Sequence, residues 1–148
     1  MTGGSINGNL TVNKNYIRKN YLSETNHAGS DKDITVSGPM SFTTVNNNEG
    51  NAWNTSNNRF ICPVNGIYLA VFTIYSNNTG TTSVRPGILK NGNEYVFTDG
   101  PYGHSISAAI RCNAGDYLQA GAYNSNFAFT VWSGAGHNNF YVTLLHEI

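Results

Sequence analysis

The chain has 148 residues and a formal net charge of zero, and only 11% of its residues are charged, against roughly 25% in typical soluble domains. That length suits a single domain with a substantial core, and the sparse, balanced charge argues against a field that would steer the chain to nucleic acid or an anionic membrane. The polar surface has to be built from Asn, Ser, Thr and Gly, which favour turns and strand edges over helix interiors, so the expected fold class is all-β.

The first residues, Met1 to Ser5, do not resemble a secretory signal, and no apolar run reaches the ~18 residues needed to span a bilayer. The expectation is a chain kept in the cytoplasm of its producer, or one trimmed from a longer product. Residues 1–38 are expected to form an N-terminal attachment arm and residues 39–148 a head domain. In the arm, Ile6, Leu10 and Val12 stand between glycine turns and supply too little apolar surface to close a core. Tyr16, Ile17, Tyr21 and Leu22 follow among Asn and Lys, and then a polar stretch from Ser23 to Asp33. Such a segment needs burial supplied from outside itself. The run Gly3-Gly-Ser-Ile-Asn-Gly-Asn-Leu-Thr-Val12 resembles a short signature of bacteriophage tail-fibre proteins, which implies that Ile6, Leu10 and Val12 attach the chain to a virion. The alternative for this stretch is a glycine-rich leader that folds into a short hairpin.

From Pro39 onward, strands recur at regular intervals with turn chemistry between them, the pattern of a β-sandwich or jelly roll. Residues 40–45 read as a strand that ends in the Asn46-Asn-Asn-Glu-Gly50 turn, and Trp53 as a plug at one end of the core. Residues 59–64 form the next strand. Asn65-Gly66 and Asn91-Gly92 are strong hairpin signals, since both residue types tolerate positive φ. Residues 84–90 and 94–98 flank the second of these turns, and Pro86 predicts an edge or bulged strand. Strands are expected again at 105–112, 117–123, 127–131 and 140–145, about ten in all.

The stretch from Phe60 to Ser76 organises the rest. With a period of two, Tyr68, Ala70, Phe72 and Ile74 point one way and Ile67, Leu69, Val71 and Thr73 the other. Neither face suits water. A sandwich strand buries one face, and no amphipathic helix is visible to cover the second, so another copy of the chain is expected to do so. Residues 140–145 pose the same problem, which makes the two strands neighbours in one inner sheet.

Two cysteines, Cys62 and Cys112, are too few for a disulfide scaffold. Buried free thiols are the plain reading, and a bridge requires that the two face each other across the sandwich. Sequons at Asn9, Asn54 and Asn77 carry little weight in a chain this rich in Asn and Thr.

From Phe42 to Leu145 the sequence resembles the globular head of the complement q subunit, a family that shares a trimeric jelly roll with tumour necrosis factor. Phe42, Asn48, Trp53, Phe60, Gly66, Tyr68 and Phe72 fall at the spacing of the family fingerprint without a gap, and Ala70 stands where the family has Phe. That departure leaves space for a neighbour such as Phe127 or Trp132. Ile110-x-Cys-x-x-Gly-Asp-x-Leu118 resembles the family's Gly-Asp hairpin, and residues 140–145 its closing strand. The resemblance implies a threefold assembly with Leu69, Val71, Tyr141, Thr143 and Leu145 at the subunit contact. Phe42, Trp53, Phe60, Tyr68, Phe72, Val142 and Leu144 would then fill the sandwich.

No constellation points to catalysis. His104, Ser105 and Asp99 match no nucleophile elbow, and the four histidines at 27, 104, 137 and 146 lack metal-ligand spacing. Asp99 and Asp116 are expected to cap turns rather than to hold calcium, and neither a metal nor a cofactor is implied. What remains is a surface: Asn78, Tyr102, Tyr123 and Asn126 have the composition of recognition loops, rigid aromatics beside adaptable amides, and such groups suit sugars. The leading expectation is a viral structural protein located in the virion and assembled in the host cytoplasm. It would be a bacteriophage tail fibre, spike or capsid-decoration subunit, joined to other virion proteins through its arm and bearing a homotrimeric head that recognises host surface glycans. The alternative is a cellular complement-like binding module, a soluble lectin or ligand. A polysaccharide hydrolase would need paired carboxylates in one groove, for which eight scattered acidic residues give little support.

Overall fold

The computed structural model describes residues 21–26, 32–34, 38–77, 84–98, 104–124, 129–131 and 137–148. Their regular structure is entirely β: β1 (Leu22–Asn26), β2 (Lys32–Ile34), β3 (Gly38–Pro39), β4 (Thr44–Glu49), β5 (Trp53–Asn54), β6 (Arg59–Ile61), β7 (Gly66–Ile74), β8 (Ser76–Asn77), β9 (Val84–Lys90), β10 (Asn93–Phe97), β11 (His104–Cys112), β12 (Tyr117–Asn124), β13 (Phe129–Val131) and β14 (Asn139–Glu147). Two antiparallel sheets make the jelly roll. One runs β11-β7-β14-β1-β4; the other runs β10-β9-β12-β6-β5, with β3 added alongside β12. A third, small sheet, β2-β13-β8, joins three short segments.

The central strand behaves as its alternation requires. Along β7, Tyr68, Ala70, Phe72 and Ile74 are fully buried, while Ile67, Leu69, Val71 and Thr73 are half-buried. β14 lies directly beside it, with Phe140 opposite Phe72 and Val142 opposite Ala70, and both β14 residues are fully buried. Between the sheets sits an aromatic cluster. Phe42 stacks on Phe140 at 6.0 Å and meets Trp53 and Phe72 edge-on at 6.0 and 6.3 Å, and Phe60 meets Tyr68 at 5.6 Å. The spaced aromatics of the fingerprint are therefore partners in one core. Asn48 belongs with them because its side-chain amide holds both backbone groups of Trp53: its Oδ1 accepts from the Trp53 N–H at 2.8 Å and its Nδ2 donates to the carbonyl at 3.2 Å.

Four readings of the sequence require correction. Within the segment assigned to the arm, β1 is an inner strand, with Leu22 to Asn26 hydrogen-bonded to β14 on one side and to β4 on the other. Ser23 and Thr25 are completely buried there; burial for this segment comes from the sandwich itself. The same pairing carries β4 through the asparagine run whose composition suggests a turn, since Glu24 pairs with Asn47 and Ser23 with Asn48. The turn comes later, at Gly50 and Asn51, both at positive φ.

Asn65-Gly66 is not a hairpin. Neither residue takes positive φ, and the strands on either side belong to different sheets, so the chain crosses the sandwich there. Asn91-Gly92, with φ of 53° and 81°, is the hairpin that its chemistry predicts. Pro86 does not mark an edge, because β9 is flanked by β10 and β12. Its carbonyl accepts the Thr98 N–H at 3.1 Å, so the missing donor falls at the end of the β10 ladder, and the bulge lies in β10 between Glu94 and Val96. Phe127 and Trp132, the candidates to fill the space beside Ala70, lie outside the described residues.

Candidate subunit interface and ligand surface

The outward face of the β11-β7-β14-β1-β4 sheet is assembled by register. Leu69 stands beside Thr143, and Val71 beside Tyr141, with Ala109 and Ser107 of β11 on their other side. Leu22 and Glu24 of β1 extend the row past Thr143 and Tyr141. Leu69, Val71, Tyr141 and Thr143 are half-buried in the single chain. Leu145 is 44% exposed at the point where β14 slips register between Leu144 and His146. Leu69, Val71, Tyr141 and Thr143, four of the five residues expected at a subunit contact, thus occupy one face with an apolar centre, and Leu145 stands exposed at the register slip. Exposed charges lie towards its two margins, Arg111 on β11 and Glu24 and Glu49 on β1 and β4. Charges of opposite sign at opposite margins suit a heterologous contact, in which one margin of a subunit meets the other margin of the next, as a ring requires.

The residues expected in the sandwich lie between the sheets. Phe60, Tyr68, Phe72 and Val142 are fully buried, Phe42 and Trp53 nearly so, and Leu144 is partly buried against the same cluster. Burial pushes the Tyr68 phenol well above its ordinary pKa, a hydrogen bond to the Val64 backbone opposing only in part.

Of the expected ligand-binding residues, only Tyr123 lies among the described ones; Asn78, Tyr102 and Asn126 lie outside them, as do Ile6, Leu10 and Val12 of the arm. Tyr123 sits on β12, not in a loop, opposite Arg85 of β9. Its ring lies back over Gly121 and Gly87, where an added Cβ would meet the Tyr123 Cε2 at 2.9 and 3.5 Å. Burial raises its hydroxyl pKa, and the nearby Glu94 carboxylate adds to the effect. Beside it, the Arg85 guanidinium stacks 4.0 Å over the Phe97 ring, and Phe97 and Tyr95 are 46% and 52% exposed. Arg59 makes the same stack on Tyr117, also at 4.0 Å. The outer sheet therefore presents aromatic rings with guanidinium and carboxylate groups among them. Sequence reasoning missed Arg85, Phe97 and Glu94 because only strand register brings them to Tyr123. The signal available was the alternation of Arg85, Gly87 and Leu89 on one strand with Gln119, Gly121 and Tyr123 on another.

Asp116 caps its turn, accepting from the Asn113 N–H at 2.9 Å, the Asn91 side-chain amide at 2.8 Å and Lys90 Nζ at 3.1 Å. The Asn91 amide, then the Asn113 N–H and Lys90, hold its pKa below the ordinary carboxylate range. Asp99 lies outside the described residues. Among the described residues, no three His, Cys, Asp or Glu side chains form a group that could hold a metal ion.

Known folds match this arrangement over most of the chain. The tumour necrosis factor Eiger from S. frugiperda superimposes with a TM-score of 0.65 at 13% identity, covering 88% of this chain and 96% of its own. The globular domain of zebrafish complement 1qA gives 0.58 at 13%, covering 88% and 100%. Murine APRIL gives 0.66 at 10%, covering 86% and 100%. No curated protein matches the chain in sequence. The family model of the C1q domain matches residues 22–113, starting at β1 and ending one residue beyond β11. The fingerprint aromatics, the order of strands and this match agree, and the chain belongs to the C1q domain family.

Proposed function

We propose that this protein is a homotrimeric binding head of a virion, a bacteriophage fibre, spike or capsid-decoration subunit that recognises host surface glycans. The observation that carries the trimeric part is the apolar outward face of an inner sheet, with Leu69, Val71, Tyr141 and Thr143 in register and Leu145 beside them. Domains of the C1q and tumour necrosis factor type are trimeric binding modules rather than enzymes. Covering one Leu or Val side chain contributes roughly 1.5 to 3 kcal/mol, so a few per subunit offset the entropy of association. The low charge, the richness in Asn and Thr and the fibre-like glycine run of residues 3–12 support the virion setting. The rings of Tyr123, Phe97 and Tyr95 support the glycan reading, since ring faces pack on sugar C–H groups while Arg85 and Glu94 hydrogen-bond hydroxyls.

Light scattering on the purified protein tests assembly; a species of three chains is expected, and a lone monomer overturns the reading. Antibody labelling of purified virions in the electron microscope tests placement. A glycan array, repeated with Phe97→Ala, tests recognition, and equal binding by both proteins removes the outer sheet from it. A secretory leader or collagen-like Gly-x-y repeats in the complete gene would favour the cellular binding module instead.

A further inference from the structure

Cys62 and Cys112 belong to opposite sheets and meet in the core. Cys62 prolongs the β6–β12 ladder by one residue: its N–H donates to the Asp116 carbonyl at 2.7 Å and its carbonyl accepts the Gly115 N–H at 2.9 Å. Cys112 ends β11, opposite Gly66 of β7. Cys62 is completely buried and Cys112 is 1% exposed; among the described residues both belong to one apolar cluster, and each thiol is close enough to perturb the other's pKa. Both are free thiols. We infer that they are the two halves of a redox-formed staple, an intramolecular disulfide that joins the two sheets when the protein meets an oxidant.

The surroundings give the reaction a direction. The Cys112 thiol, and then burial, push the Cys62 thiol up, whereas the Cys62 thiol lowers Cys112 against the effect of burial and with help from nearby Lys90. The exposed residues 113–115 follow Cys112 directly, which puts the pair one residue from solvent on the Cys112 side and makes Cys112 the sulfur that an oxidant reaches first. With hydrogen peroxide as oxidant, the Cys112 thiolate attacks one peroxide oxygen, the O–O bond breaks, and the departing hydroxide takes up a proton to become water. The Cys62 sulfur then attacks Sγ of the Cys112 sulfenic acid. The S–O bond breaks, and the Cys62 proton leaves with the hydroxide as a second water. Two thiols and one peroxide become a disulfide and two waters, a two-electron oxidation. The closed loop holds β7 to β11, about 50 residues, and constraining it in the unfolded chain favours the folded state about a thousand-fold.

The full chain is treated with hydrogen peroxide, denatured, alkylated and weighed. A second sample is denatured and refolded with a glutathione redox couple. The expected product is lighter by two hydrogens, takes no alkyl group, yields one linked peptide pair containing residues 62 and 112, and melts at a higher denaturant concentration until dithiothreitol is added. Cys112→Ser should abolish the link and leave Cys62 alkylatable. If that variant does not fold, the peptide map of the unmodified chain decides between a linked and an unlinked pair by itself. Two alkylatable thiols in both samples, a sulfinic acid at either cysteine without the link, or links between chains would each overturn the inference.

Discussion

Tyr68 grips Val64 by both of its backbone polar groups, donating its hydroxyl to the Val64 carbonyl at 2.8 Å and accepting the Val64 N–H at 3.3 Å. Val64 lies on the crossing between β6 and β7, where no partner strand satisfies its backbone, and Tyr68 is completely buried against Phe60. The fingerprint tyrosine thus does two things that phenylalanine cannot do together: its ring fills the sandwich, and its oxygen fixes the path between sheets. Tyr68→Phe keeps the ring and strands the Val64 groups. Urea denaturation should show a loss of about 1 to 2 kcal/mol with an unchanged slope; no loss would mean that water replaces the hydroxyl.

Gly66 begins β7 where a side chain has no room. A Cβ there would meet the His146 carbonyl oxygen and the Leu144 Cδ1, each at 2.6 Å. Leu144 can turn aside, but the carbonyl belongs to the backbone of β14 and cannot move alone. Gly66→Ala should cost about 1 to 3 kcal/mol, seen as a lowered thermal midpoint, although alanine otherwise suits a strand better than glycine.

Leu69→Asp places a carboxylate on the outward face of the inner sheet, and Leu145→Asp places one at the exposed register slip of β14. Burying an unpaired charge there is too costly for association. Size-exclusion chromatography with light scattering should find a dissociated or unfolded chain. A variant that remains an ordinary trimer would remove its residue from the interface.

Asp116 gives the fold a dependence on pH with a definite sign. Its folded pKa is depressed, so its stabilisation is fully present above the ordinary carboxylate range and fades as the pH falls through its folded value. Asp116→Asn removes the negative partner of Lys90 while leaving an amide of the same shape. The variant should be less stable by about 1 kcal/mol at neutral pH, and the gap should close on acidification. Denaturation midpoints measured down the pH scale would show it; a constant gap would assign the effect to shape rather than to charge.

Aspartate, asparagine and glycine at turns, and large side chains every second residue, are properties of a few adjacent residues, and these can be read directly. The two-faced strand at Ile67 to Ile74, its neighbour at Phe140 to Leu145, the Asn91-Gly92 hairpin and the spaced aromatics from Phe42 to Phe72 all fall in this class. The period of a strand sets the direction of each side chain regardless of what lies across the sheet. Pairing between distant strands obeys no such local rule. Leu22 to Asn26 is too polar to announce a core strand, yet β14 and β4 satisfy its backbone on both sides and cover Ser23 and Thr25. The same long-range register draws Asn46 to Glu49 into a strand, sends the chain across the sandwich at Asn65-Gly66 and gathers Arg85, Phe97 and Glu94 around Tyr123. Hydrogen bonds to partners far along the chain outweigh preferences of a few tenths of a kcal/mol per residue. Short-range pattern therefore specified the strands whose large side chains alternate, and the closing of the two sheets on each other specified the polar strands and which residues share a face.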